Sequence, residues 1–480
     1  MEKKSVHPCA GAISHVPSVA ARRFRGRFLV QILLIPALVT MLYGTVYGEH
    51  GERSERNHSR VIISEFMVQQ NHTLADPDFG TYSGWIELHN RSRRKIDLTG
   101  WLLVVYPPDA QLERDSRFQA GDTGSAPIFM ETLPAGTEIS RNGYLLIWTD
   151  GQAMSGQALH AGFMLPESGA VIALYGPEQD RHTLVDFIGY GPFDVAPDIS
   201  IGRITFERYQ AHWFQLPMNE PTPGEKNRLK RLQERASFRI RVLESSGLAP
   251  DHTGRYLWTV SDQSGGNVYK LSKDGKVIER FASGGGDLEG ITQDPRDRTL
   301  WVVDEAFWEV VQFDTLGNEL TRFGVDTGAR IHNQGLEGIT LDPDNDRLYV
   351  VNEKNPRVMI VYDISNASDV RHLKTISLDF NASPETKGLD LSGLFFDARE
   401  QVLWLVSDEA TAVILLDLDG RPLAAYETGV INGEGVTVIH EDKIIYLVSD
   451  ERNRLYHLDL PHPILRLPAA REKHPMTQQK

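Results

Sequence analysis

The chain contains a single cysteine, Cys9, among its 480 residues. Cys9 precedes the long apolar segment near the N-terminus, so the rest of the chain has neither a disulfide nor a cysteine-based zinc site. Basic residues are in the minority, because 50 Lys and Arg face 65 Asp and Glu and leave a formal net charge of −15. This charge argues against nucleic-acid binding, which depends on phosphate neutralisation by Lys and Arg, and leaves room for cations.

Common enzyme motifs are missing as well. The sequence contains no Gly-x-Ser-x-Gly elbow, no phosphate-binding loop and no His-Glu-x-x-His motif. Turn-forming residues are plentiful, with 41 Gly and 25 Pro. The composition and the length of the chain predict an all-β protein with two folded domains, each large enough to be stabilised by its own core.

The N-terminal region joins a basic stretch to an uncharged one. Residues 1–27 end in an arginine-rich segment, and residues 28–48 carry no charge. The uncharged stretch predicts one hydrophobic helix, which is either a signal peptide or a membrane anchor. The positive-inside rule places the later domains outside the cytoplasm. We therefore expect an exported protein, bound to the membrane through residues 28–48 if they are retained and secreted or periplasmic if they are cleaved.

Residues 61–227 contain short segments rich in β-branched and aromatic residues, separated by Gly, Pro, Asn and Asp. Such segments predict two packed antiparallel sheets. Five motifs in this region resemble the lamin tail domain in kind and order: ISEF at 63–66, WIEL at 85–88, DLTGW at 97–101, GY at 143–144 and TPG at 222–224. The resemblance implies an immunoglobulin-like β-sandwich that serves as an extracellular interaction or positioning module.

Three carboxylates flank Trp85 in this region, namely Asp76, Asp78 and Glu87. They fit a cation-binding loop, and they fit equally well a turn followed by an exposed strand edge. The sequence leaves both interpretations open.

A repeat begins after residues 228–237, a highly charged stretch that predicts a linker. Ser-Gly or Glu-Gly pairs recur at 246–247, 289–290, 337–338, 392–393 and 434–435, with spacings of 43, 48, 55 and 42 residues. A period of this length, with about four strands per unit, predicts a β-propeller of about five blades over residues 238–463. Residues 238–243 are expected to complete the last blade, and residues 464–480 to form a flexible tail.

Three motifs of this repeat resemble the SdiA-regulated propeller family: LEGI at 288–291, LWVVDE at 300–305 and GLEGI at 335–339. The resemblance extends over about residues 238–460. It implies the fold rather than a reaction, because the biochemical activity of that family is poorly defined.

Acidic residues recur at the ends of the predicted strands. In an antiparallel hairpin the start of one strand lies opposite the end of the next, so these acids are expected at one mouth of the propeller. Their oxygen atoms suit Ca²⁺ first and Mg²⁺ second. The predicted metal ligands are Glu289, Asp304, Glu305, Glu337, Glu353, Asp408, Glu434 and Asp450.

Ser246 and Ser392 replace glutamate in two of the repeated pairs. We therefore expect an asymmetric site on the side of blades two, three and five. The alternative interpretation is that the strand-end acids only satisfy turns, while the glutamates point into a water-filled channel.

These patterns favour a noncatalytic binding or scaffolding protein with an extracellular or envelope ligand that the sequence does not identify. No catalytic residue is assigned. The alternative is a calcium-dependent hydrolase, lactonase-like or phosphoesterase-like, with its site at the acidic mouth. His332 is the one propeller histidine that the sequence places beside this mouth.

Overall fold

The computed structural model of the protein describes residues 60–112, 118, 126–152, 156–178, 181–191, 196–206, 213–263, 265–331, 334–378, 388–462 and 464. All regular elements in these residues are β-strands, which confirms the all-β prediction. A helix of the length and apolarity needed to span a membrane is not found in this part of the chain. The basic region 1–27 and the predicted hydrophobic helix 28–48 lie outside the described residues.

The first domain is a β-sandwich of two main sheets. The six strands of one sheet, in spatial order, are β12 (Phe214–Met218), β11 (Ser200–Ile204), β1 (Val61–Met67), β2 (Gly84–Asn90), β7 (Tyr144–Thr149) and β8 (Leu159–Ala161). The four strands of the other are β10 (Arg181–Tyr190), β9 (Ala170–Glu178), β4 (Leu102–Tyr106) and β5 (Phe129–Thr132). A small third sheet pairs β3 (Ile96–Asp97) with β6 (Glu138–Ile139).

The core of the sandwich lies between the two main sheets, where side chains such as Phe66, Ile86 and Leu103 pack together without solvent exposure. Glu87 is also buried, in β2, where its carboxylate accepts hydrogen bonds from the Ser64 hydroxyl (2.6 Å) and the Gly224 N–H (2.5 Å). Burial raises the pKa of Glu87 to about 8. Glu87 therefore belongs neither to a cation loop nor to an exposed strand edge, because its side chain points into the domain.

The second domain has five sheets, each with the four strands of a propeller blade, and one of them carries a fifth strand. Blade one contains β15 (Ser245–Pro250), β16 (Tyr256–Ser261), β17 (Asn267–Ser272) and β18 (Val277–Ala282). Blade two contains β19 (Leu288–Gln293), β20 (Leu300–Asp304), β21 (Glu309–Phe313) and β22 (Glu319–Gly324). Blade three contains β23 (Leu336–Asp342), β24 (Arg347–Asn352), β25 (Val358–Asp363) and β26 (Arg371–Ser377).

The last two blades each take a strand from the N-terminal side of the domain. Blade four contains β27 (Gly393–Asp397), β28 (Val402–Ser407), β29 (Ala412–Leu416) and β30 (Pro422–Glu427), and β13 (Lys230–Arg231) adds to β30 in parallel. Blade five contains β31 (Gly433–Ile439), β32 (Ile444–Ser449) and β33 (Arg454–Asp459), and β14 (Glu234–Arg239) completes it. The innermost strands of the five blades contact one another in a closed cycle, which gives a propeller-like ring.

The stretch predicted as a linker, residues 228–237, is part of the propeller, at the outer edges of blades four and five. It contains β13 and the first four residues of β14, and Leu229 and Leu232 are buried at 4% and 5% exposure. The linker prediction is corrected for this reason: the charged residues of the stretch alternate with leucines that pack into the core. Of the predicted flexible tail, Ile464 is described, and it is buried and accepts a hydrogen bond from the Tyr426 hydroxyl at its carbonyl (2.8 Å).

Glycine allows the innermost strands to approach one another closely. A Cβ atom added to Gly393 would lie 2.1 Å from the carbonyl oxygen of Glu434 in the next blade, and one on Gly435 would lie 2.4 Å from the backbone of Gly247 in blade one. The glycines of the other repeated pairs make the same kind of contact with the following blade, namely Gly247, Gly290 and Gly338. Any larger residue at these positions would force the strands apart.

We therefore expect Gly393→Ala to destabilise the propeller by about 3 kcal/mol, because the added methyl group meets backbone that has no room to move. Thermal or urea unfolding would measure the change. Gly324→Ala is the matched control, since Gly324 has nothing within 4 Å of an added Cβ. Equal stability of the two variants would contradict the proposed backbone contact.

One hydrophobic cluster contains residues of both the sandwich and the propeller. Phe214 in β12 lies in the same buried cluster as Leu405 and Ala425 of blade four. Asn219, just after β12, donates a hydrogen bond to the Tyr426 hydroxyl (3.0 Å) and accepts one from the Ala425 N–H (3.2 Å). The described parts of both domains accordingly fall within one compact unit, Ser59–Lys480.

Phe214→Ala should destabilise both domains together by about 3–5 kcal/mol, because it opens a cavity in the shared cluster. Calorimetry should show the whole unfolding profile shifting to lower temperature. Phe66→Ala is the comparison, since the cluster around Phe66 contains sandwich residues alone. If both variants affect a sandwich transition and leave the propeller transition unchanged, the shared core does not couple the domains.

Candidate metal centre

A cavity of about 280 Å³ lies at one end of the propeller ring. Its walls carry eleven carboxylates and three serines: Glu244, Ser245, Ser246, Asp262, Asp287, Glu289, Glu305, Glu337, Glu353, Asp390, Ser392, Asp408, Glu434 and Asp450. We call this space the axial cavity. The predicted acidic mouth is therefore present as a geometric feature.

Seven of the eight predicted ligands line the axial cavity, and the exception is Asp304. Asp304 is 2% exposed and accepts hydrogen bonds from the N–H groups of Gly286 (2.9 Å) and Asp287 (3.2 Å). Its carboxylate thus holds the turn that leads into β19. For this residue the alternative interpretation, a strand-end acid that satisfies a turn, describes the structure.

Strand register explains why the other residues converge. Leu288, beside Glu289, pairs with Asp304, and Leu336, beside Glu337, pairs with Asn352. The register slips at the Glu-Gly pairs of both strands, as in a β-bulge. Bulges change the direction of a side chain, and here they fall at the residues that face the axis.

Four cavity carboxylates are not among the predicted ligands: Glu244, Asp262, Asp287 and Asp390. Three of them share a sequence pattern, because Glu244, Asp287 and Asp390 stand two residues before Ser246, Glu289 and Ser392. Residues two apart in an extended segment face the same side, so this spacing was a usable signal. The expected restriction of the site to blades two, three and five is therefore corrected. The two blades with serine carry an acid two positions before the serine, and all five blades contribute carboxylates.

Burial and mutual repulsion raise the pKa of several of these carboxylates. Burial raises the pKa of Glu337 well above its ordinary value, and the charges of Glu289 and Glu434 raise it further. The pKa of Asp262 is raised to about 7, first by burial and then by Glu244 and Asp287. Part of the negative charge that the sequence assigns to the cavity is therefore suppressed at neutral pH unless a cation is present.

Three ligand oxygens come especially close together, one each from Asp262, Asp287 and Glu289, all within 4.8 Å of one another. Ser245, on the same wall, is fully buried, and its hydroxyl has no hydrogen-bond partner in the described part of the chain. An all-oxygen set of this kind fits Ca²⁺ or Mg²⁺. The arrangement places the densest group of donors between blades one and two.

Lys354 neutralises part of the opposite wall. Its ammonium group forms ion pairs with Glu353 and with Glu409 (3.4 Å). Burial disfavours this charge, but the two glutamates outweigh that effect and raise the pKa of Lys354. His332, which the sequence places beside the mouth, lies outside the described residues.

The raised pKa of Asp262 makes stability depend on pH. Between about pH 4, the ordinary range for aspartate, and about pH 7, the folded protein retains a proton that the unfolded chain has lost. In cation-free buffer, the contribution of Asp262 to stability should therefore be fully present below about pH 4 and be lost as the pH rises through about 7. Asp262→Asn should reduce this loss, as measured by melting temperature against pH, whereas the exposed Asp344→Asn should not. Identical profiles of melting temperature against pH for the two variants would contradict this role of Asp262.

The comparisons agree with the architecture. Residues 54–192 match the family model of the Lamin Tail Domain, and residues 231–459 match that of the SdiA-regulated family. The chain therefore carries these two domains in the predicted order. No curated protein matches the chain.

Several solved structures resemble part of it. The nidogen/laminin complex is 22% identical, with 45% of this chain and 76% of that chain covered and a TM-score of 0.33. The Cps50 (Swd1) β-propeller domain of Myceliophteria thermophila is 11% identical, with 45% and 65% covered and a TM-score of 0.29. XC5397 of Xanthomonas campestris, a gluconolactonase, is 16% identical, with 48% and 94% covered and a TM-score of 0.33. At these TM-scores the similarities carry no argument about the activity of this chain.

Proposed function

We propose that the axial cavity binds a divalent cation, Ca²⁺, and that the protein is a noncatalytic binding or scaffolding protein that works outside the cytoplasm. The observation that carries the proposal is the convergence of eleven carboxylates on a cavity of about 280 Å³. Packing holds these groups together, so their repulsion is relieved by protons or by a cation. At the pH of most extracellular fluids, a cation that binds the carboxylate oxygens replaces the protons.

The preferred position of the cation is beside Asp262, Asp287 and Glu289, where three oxygens already lie within reach of one ion. Ca²⁺ takes six to eight oxygen ligands, so serine hydroxyls and water complete the shell. Mg²⁺ requires a smaller and more regular octahedron and is the second choice. The extracellular location rests on the arginine-rich segment before residues 28–48.

Binding of Ca²⁺ should stabilise the folded protein by about 2.7 kcal/mol at a free concentration one hundred times the dissociation constant. Glu289→Gln should abolish most of this gain, because it removes a ligand oxygen charge with little change of shape. Glu337→Gln, in the next blade, should stabilise the cation-free protein by relieving repulsion and should keep most of the response to Ca²⁺. Melting temperatures of the wild type and of both variants, each measured with Ca²⁺ and with a chelator, would test these expectations.

A wild-type protein that is indifferent to chelator would overturn the cation site. The alternative function is a calcium-dependent hydrolase. It would need a general base beside the cation, and the carboxylates of the axial cavity, Asp262 among them, offer that chemical group. Turnover of a lactone or phosphoester by the Ca²⁺-loaded protein, lost in Asp262→Asn, would establish that function in place of the noncatalytic one.

A further inference from the structure

A second group of potential metal ligands lies in the sandwich, far in sequence from the axial cavity. Asp76 and Asp78 belong to the loop between β1 and β2, Asp150 follows β7, and His160 is in β8. Parallel pairing of β7 with β8 sets Trp148 opposite His160 and brings Asp150 to the histidine ring. His160 is fully buried and Asp76 is 1% exposed. These four side chains form the sandwich cluster.

Each of two aspartates uses one oxygen to hold its own loop and turns the other towards His160. Asp76 Oδ1 accepts a hydrogen bond from the Asp78 N–H (2.8 Å), and Asp150 Oδ1 accepts one from the Gln152 N–H (3.0 Å). The remaining oxygens lie 3.6 Å (Asp76) and 2.9 Å (Asp150) from Nδ1 of His160. Asp76 Oδ2 is buried without a hydrogen-bond partner among the described residues. An oxygen in this condition is costly unless a ligand occupies the space beside it.

Asp78 holds the other side of the histidine ring. Its Oδ2 lies 3.1 Å from Nε2 of His160, and the N–H groups of Gln157 (2.9 Å) and Ala158 (2.8 Å) fix the carboxylate. A proton on Nε2 satisfies this contact and leaves the lone pair of Nδ1 directed towards Asp76 and Asp150. Carboxylates orient metal-bound histidines in this way in many proteins.

The charges of the sandwich cluster are unbalanced without a cation. Three carboxylates surround one buried imidazole, so even a protonated His160 leaves two negative charges around the ring. In the part of the chain that the structure describes, no Lys or Arg forms an ion pair with Asp76, Asp78 or Asp150. A divalent ion beside a neutral imidazole would reduce the deficit to one negative charge.

We propose that Asp76, Asp150 and His160 bind Zn²⁺ and that Asp78 is the positioning residue for His160. Imidazole with carboxylates suits zinc better than calcium. Bonds of about 2.0–2.2 Å to a tetrahedral ion place neighbouring ligand atoms about 3.4 Å apart. The distances of 2.9 and 3.6 Å lie on either side of that value. The three ligands leave one position for water, and the ion ties the loop before β2 to the edge formed by β7 and β8.

Zinc titration of the full chain tests this site, after chelator treatment and with Ca²⁺ in excess to saturate the axial cavity. Calorimetry and metal analysis should show one tightly bound Zn²⁺ per chain. Asp78→Asn should weaken binding about 10- to 100-fold, as expected for loss of an orienting carboxylate. Asp76→Asn should weaken it more, because it removes a ligand. The metal-free Asp76→Asn protein should melt no lower than the wild type, since the oxygen that it replaces has no partner.

Asp97→Asn is the matched control, because exposed Asp97 holds its turn by accepting a hydrogen bond from the N–H two residues on, as Asp76 does. Glu289→Gln should leave zinc binding unchanged, so failure of the axial site and failure of the sandwich site give different results. Equal zinc affinity in Asp76→Asn and Asp97→Asn would overturn the proposal. A wild-type protein that binds no zinc would also overturn it. The three carboxylates would then form ion pairs with a protonated His160.

Discussion

Backbone contact between neighbouring inner strands is the constraint on which the propeller depends. At one position in each blade this contact leaves no room for a side chain, and glycine occupies all five positions. The residue before each glycine is thereby held at the axis, whatever its charge. The packing of the strands therefore decides how closely the carboxylates approach one another, and the electrostatics of the cavity follows from that distance.

The axial carboxylates are distributed more evenly than the glutamate pairs alone suggest. Where serine stands before the glycine, as at Ser246 and Ser392, an acid two positions earlier takes over, Glu244 in one case and Asp390 in the other. Each blade thus contributes carboxylates to one cavity. Lys354 offsets part of this charge on one wall, and the opposite wall gathers the oxygens that lie closest together.

The axial cavity and the sandwich cluster offer different ligand atoms. For this reason different ions are proposed for them. The axial cavity offers only oxygen atoms from carboxylates and serines, which suit a hard ion such as Ca²⁺. The sandwich cluster offers a buried imidazole whose orientation Asp78 fixes, which suits zinc. Because the sandwich and propeller share a hydrophobic core around Phe214, an ion that stabilises one domain supports the cooperative unit as a whole.

The sequence by itself determined the all-β class, the two domains and their order, and the presence of an acidic mouth, because strand periodicity and a repeat of 42 to 55 residues are local properties of the chain. Seven of the eight residues that it predicted as metal ligands line that mouth. Only the tertiary structure decided that residues 228–237 pair with strands of two blades instead of forming a free linker, since burial of Leu229 and Leu232 depends on partners far away in the sequence. The meeting of Asp76, Asp150 and His160 was likewise decided there, because it arises from a parallel strand pair and a distant loop, and no spacing along the chain encodes it.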